Sequence, residues 1–130
     1  MNSKYGFGKI VPYSFKVALE KVKKELAKEG FGILTEIDVA ATLKKNLDQE
    51  MAPYIILGAF NAPLAHRALE LDSSIGLLMP CNVVVRLDNK NNVHVEFMDP
   101  STVLELVNEL TICPIAEEIT HRLKRVMGAL

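Results

Sequence analysis

The chain has 130 residues, 49% hydrophobic and 24% charged, enough to bury one core and too few to divide between two. Its 15 Lys and Arg stand against 16 Asp and Glu, a formal charge of -1, so no net positive field gathers phosphates and nucleic-acid binding is not expected. Two cysteines are too few for a disulfide framework, and no apolar run is long enough for a signal-peptide core or a membrane span, so a soluble cytoplasmic protein is expected.

In chain order, Tyr5 to Val11 alternates and is rich in strand formers, which predicts a first strand. Pro12 ends it and Ser14 is placed to cap a helix whose Phe15, Leu19, Val22 and Leu26 form one apolar stripe. The lysines off that stripe, interleaved with glutamates, read as a solvated surface, and Gly30 supplies the stop. "FGILTEIDV" predicts a second strand, with Ile33, Thr35 and Ile37 on one side and Leu34, Glu36 and Asp38 on the other. Asp38 then caps a short helix to about Leu47, with Val39, Leu43 and Leu47 along one side.

Pro53 precedes a third strand, "YIILGAF", and Asn61 caps the helix "APLAHRALEL", with Pro63 in its first turn and Leu64, Ala68 and Leu71 inward. "CNVVVRLDNKNNVHVEFMD" predicts a hairpin with Val83, Val85 and Leu87 on the face of Val93, Val95 and Phe97. "DPSTVLELVNEL", opened by Asp99 and Pro100, predicts a further helix. After a break at Cys113-Pro114, "PIAEEITHRLKRVMGAL" predicts the last, with Ile115, Ile119, Leu123 and Val126 inward.

The hairpin requires antiparallel strands, while the first strand-helix-strand unit is free to run parallel. The simplest architecture is a single α+β domain over residues 1–130, a two-layer sandwich with a mainly antiparallel sheet and helices packed on one face. The second sheet face must then be polar or covered, and strands this apolar suggest a partner subunit.

Three segments, "GFGILTEIDV", "YIILGAFNAPLAHRALELD" and "IGLLMPCNVVV", in this order and spacing, resemble a bacterial and archaeal family known as domain of unknown function three-hundred-and-two. The resemblance covers roughly Tyr5 to Met98 and implies a compact α+β domain that forms homodimers, with no established reaction. It also implies recurring polar positions at Glu36 and Asp38, at Asn61, Pro63 and His66, and at Pro80, Cys81 and Asn82. Phe60 stands where the family is expected to carry a small residue or cysteine, which weighs against any mechanism using two thiols.

These residue types suit three chemistries. Cys81 as nucleophile needs a neighbouring base or helix N-terminus to lower its pKa, with His66 as base and Glu36 orienting the imidazole; the commoner role of a free cysteine is burial. Asp38, Glu36, His66 and Cys81 are transition-metal ligand types, but no two share the short local spacing of a zinc signature, so no metal is assigned. The helix opened by Asn61 presents backbone N–H groups suited to an anion, with His66 and Arg67 one turn on, although an ordinary N-cap looks the same.

His94 is expected beside Arg86 and Glu96 in a surface ladder, and His121 on a solvated helix face. The expectation is therefore a homodimeric domain binding a small molecule, anion or other ion at Glu36, Asp38, Asn61, His66, Cys81 and Asn82, with the cofactor unassigned. A thiol-dependent enzyme and a purely structural interaction module are the alternatives.

Overall fold

The computed structural model describes residues 5–102 and 112–130. Five strands, β1 (Gly6–Val11), β2 (Gly32–Asp38), β3 (Tyr54–Phe60), β4 (Cys81–Leu87) and β5 (Val93–Met98), form one sheet in the order β1-β5-β4-β3-β2. Every neighbouring pair is antiparallel. β1 and β2 consequently run in the same direction, as the sequence allows, but they occupy opposite edges with three strands between them.

Helix α1 (Phe15–Lys28) crosses from one edge to the other, α2 (Val39–Leu47) joins β2 to β3, and α3 (Ala62–Leu71) leads through a 3₁₀ turn (Ser73–Leu78) into β4. Helix α4 (Cys113–Gly128) closes the fold. The helix expected over 99–110 falls mostly outside the described residues. Its opening is seen at 100–102, where Asp99 Oδ1 accepts the Ser101 N–H at 3.0 Å.

The period-2 alternation of the strands sorts their side chains onto two faces. On the helix face the register aligns Phe7, Phe97, Val83, Leu57 and Glu36 in one row, and Val95, Val85, Ile55 and Asp38 in the next. Against these rows pack Ala18, Val22 and Leu26 of α1 and Leu123 and Val126 of α4 in one continuous core. A second cluster, of Leu64, Ala68, Ile75, Ile112 and Ile115, lies between α3, the 3₁₀ turn and α4, and Ile119 of α4 touches both.

The side chains of α3 and β2 depart from the expected patterns. Leu71, the last residue of α3, is 51% exposed, and Ala65 takes an inward place beside Leu64 and Ala68. On β2 a bulge between Ile33 and Thr35 breaks the strict alternation, so Ile33 joins the helix face while Thr35 and Ile37 face the other way.

The end of α1 is tied by a polar knot. Gly30 takes φ +86, a left-handed position that glycine adopts without strain. The Glu29 carbonyl accepts from Arg122 Nη1 at 2.9 Å and from Asn61 Nδ2 at 3.4 Å, so α4 and the start of α3 are both pinned to the α1 terminus. Arg125 donates to the Glu29 carboxylate at 2.8 Å. Two guanidinium cations thus stand at a helix C-terminus, where the dipole favours them.

Candidate functional site

Among the described residues, α1 and α4 pack on one face of the sheet and neither packs on the other. On that open face the register sets Asn82 beside Gly58 and Thr35, Val84 between Ile56 and Glu96, and Arg86 between Tyr54 and His94. At Gly6 on the β1 edge a Cβ would run into the backbone of Phe97, so glycine is required for the close pairing and that corner carries no side chain. The result is a hollow of about 630 Å³ lined by Tyr5, Gly6, Tyr54, Asn82, Val84, Glu96, Met98 and Thr102, with Phe7 and Phe97 contributing at its β1–β5 side. Its size lies in the range typical of small-molecule sites.

Electrostatically the hollow is simple. Among the described residues lining it, Glu96 is the one charged side chain. Its Oε1 accepts from Arg86 Nε at 2.6 Å, and both partners are about one-third exposed. This bond raises the Arg86 pKa above its ordinary value, holding the guanidinium charged. The expected Arg86–Glu96 ladder is therefore present.

His94, expected to share that surface ladder, is instead buried at 6% exposure. Asp88 accounts for the difference. One of its oxygens accepts the N–H groups of Lys90 (2.8 Å) and Asn92 (2.9 Å), and the other lies 2.7 Å from His94 Nε2. The β4–β5 turn thus folds over the imidazole, and His94 Nδ1 is buried with no hydrogen-bond partner among the described residues.

The six residues singled out from the sequence are distributed over several separate places. Glu36 lies on the helix face of β2 and pairs with Lys23 of α1 at 2.5 Å. Asp38 caps α2, its carboxylate accepting the Ala41 N–H at 2.9 Å. Asn61 is 6% exposed and caps α3, accepting the Leu64 N–H at 3.2 Å. His66 points to solvent, 73% exposed, and meets Glu70 one turn on at 2.9 Å.

Cys81 sits on the helix face, in register with Ala59, two strands and one side-chain row away from Glu36. Its thiol borders a small apolar cavity of about 70 Å³ with Met79, Met98, Ile75 and Ile115. Burial alone pushes the Cys81 thiol up to about 11, the reverse of what a nucleophilic cysteine needs. The structure does not bring Cys81, His66 and Glu36 together, because each is committed to a different element and partner. Among the described residues no three His, Cys, Asp or Glu side chains are grouped to hold a metal ion.

Of the six, Asn82 lines the hollow, one residue from Cys81 and on the opposite face. Tyr54, Val84, Glu96 and Met98 were missed. Strand alternation places Val84 and Glu96 on the face opposite Val83 and Phe97, but nothing local in the sequence says on which face α1 and α4 will pack.

No helix among the described residues is long and apolar enough to cross a membrane. No curated protein matches the chain. The fold is similar to that in the crystal structure of an uncharacterized conserved protein, DUF302, from Bacillus stearothermophilus, with a TM-score of 0.90, 24% identity and 98% of each chain covered. Residues 7–130 match the family described as Domain of unknown function DUF302, and the chain belongs to that family.

Proposed function

We propose that this domain binds a small, mainly apolar molecule in the hollow on the open sheet face, with Asn82 and Glu96 orienting it. The observation that carries this reading is a concave, mostly apolar surface of about 630 Å³ with a few convergent polar groups, placed where neither α1 nor α4 packs. A thiol-dependent reaction is not favoured, since the Cys81 thiol is desolvated and has neither His66 nor Glu36 beside it.

The test is ligand-observed NMR with a neutral aromatic fragment, 2-phenylethanol, for which a Kd on the order of 1 mM is expected from its atom count. Binding should disappear in Val84→Arg, whose side chain fills the hollow, and persist in His66→Ala and Cys81→Ala. No binding to the parent chain, or binding untouched by Val84→Arg, contradicts the proposal.

A second reading, self-association, rests on a different observation. β2 is a seven-residue edge strand with Leu34 63% and Ile37 48% exposed, and the adjoining α2 buries none of its residues. Natural edge strands usually carry stronger protection against pairing. A second copy covering this flank accounts for the exposure. Sedimentation should give a dimer that Leu34→Lys with Ile37→Lys converts to monomer; a parent chain monomeric at 100 μM or so contradicts it.

A further inference from the structure

The charge around the hollow narrows the class of molecule it takes. Among the described lining residues there is one formal charge, the Glu96 carboxylate, and no Lys, Arg or His. Arg86 engages Glu96 from outside the lining and holds Oε1, so that oxygen is spoken for while the carboxylate still borders the hollow. Asn82, Tyr5, Tyr54 and Thr102 add dipoles able to accept hydrogen bonds. Two tyrosines, whose ring faces carry negative potential, stand on the same lining as the carboxylate.

The nearest histidine on this face does not alter that balance: His94 is buried and its Nε2 is engaged by Asp88. Lys9, the lysine of β1, is in register with Val95 on the helix face and does not line the hollow.

An anionic ligand would therefore meet the Glu96 carboxylate before Arg86, which pairs with it from outside the lining. A neutral apolar ligand would cover the Glu96 oxygen that Arg86 does not hold and give it no hydrogen bond in return. An ammonium group on an apolar body answers both conditions, through a charge-assisted hydrogen bond to Glu96 and contact with the tyrosine rings. We infer that the hollow selects small organic cations, primary or quaternary ammonium groups carried on an aromatic or short aliphatic body. This inference rests on the proposed binding at the hollow and specifies its ligand.

The test compares three probes with one shared body: phenethylamine, 2-phenylethanol and 3-phenylpropionate, titrated at pH 7 by protein-observed NMR. The ammonium should bind about tenfold more tightly than the alcohol, and the carboxylate more weakly than either. In Glu96→Gln the advantage of the ammonium should vanish while the alcohol's affinity is kept. In parent protein the advantage should shrink several-fold between 20 mM and 500 mM salt, a readout that needs no variant.

Equal affinities for all three probes overturn the cation preference while leaving the hollow as a binding site. An ammonium advantage that survives both Glu96→Gln and high salt overturns the role of Glu96. Failure of all three probes to bind overturns the binding site and this inference together.

Discussion

The two faces of one sheet are built from the same strands, and they differ in almost everything else. On the helix face Leu57, Val83, Val85, Val95 and Phe97 are at most 1% exposed and meet a wall of α1 and α4 side chains. On the open face, one residue along each strand, stand Ile56, Val84, Arg86, Glu96 and Asn82, none of them fully buried. Burial of apolar area is the main stabilising contribution in a domain this size, so the first face holds the fold together. The second contributes less to stability, and on the proposed reading it is the face that recognises a ligand.

The largest expected effect separates the faces directly. Leu57→Ala removes a fully buried side chain from the middle of the core and should cost about 2–5 kcal/mol in urea unfolding. Val84→Ala, on the neighbouring strand but the opposite face, should cost less than about 1 kcal/mol and weaken fragment binding. Equal destabilisation by the two changes would break the distinction between a stabilising and a recognising face.

A smaller effect concerns the one part of the open face that is covered. Asp88 gathers the β4–β5 turn and the buried His94, and the His94 hydrogen bond, helped by the Asn92 and Lys90 N–H groups, holds its carboxyl well below the usual carboxylate range. A depressed carboxyl contributes stability that is complete above its unfolded pKa, near ~4, and is lost as pH falls through the lower folded value. The stability gap between the parent chain and Asp88→Asn should therefore be constant from pH 5 to 7 or so and shrink below about pH 4. A gap that widens toward acid would contradict this assignment.

Reactivity at Cys81 sharpens the comparison from the helix face. With its thiol pushed up to about 11, the thiolate fraction at pH 8 is on the order of one in a thousand. Iodoacetamide at that pH should modify Cys81 in the native chain far more slowly than in urea, measured on the Cys113→Ala background. Comparable rates in the two states would place the thiol in a more polar setting than the apolar cavity described. The smallest expected effect belongs to His66→Ala, within about 0.5 kcal/mol, since its imidazole is largely in water.

Much of the fold is legible in the sequence because short-range rules fix it. Ser14, Asp38 and Asn61 cap the helices they precede, and each accepts the N–H three residues on. The valines of β4 and β5 pair as their alternation requires. What is not legible depends on chain segments meeting across the sheet. The β2 bulge, the folding of the turn over His94 and the gathering of Arg122 and Asn61 at Glu29 all come from tertiary contacts without a local signature.

The site shows the same division. Glu36, Asp38, Asn61, His66, Cys81 and Asn82 are chemically distinctive residues at element ends, and a cap or a boundary is also where such residues do structural work. Val84 and Met98 look like ordinary strand residues. Their interest arises only because α1 and α4 both pack on the other side and Gly6 leaves a corner of β1 bare. Conversely, the existence of a second face is legible in outline: a two-layer α+β arrangement always leaves one sheet face to be accounted for.

The most direct test of a recognising open face is amide chemical-shift mapping of the ¹⁵N-labelled chain titrated with phenethylamine. The account predicts perturbations concentrated at Gly6, Asn82, Val84, Glu96 and Thr102, with Asn61, His66 and the α1–α4 core unchanged. Perturbations centred on Asn61 and His66 or on the cavity beside Cys81, or none at millimolar ligand, would contradict it.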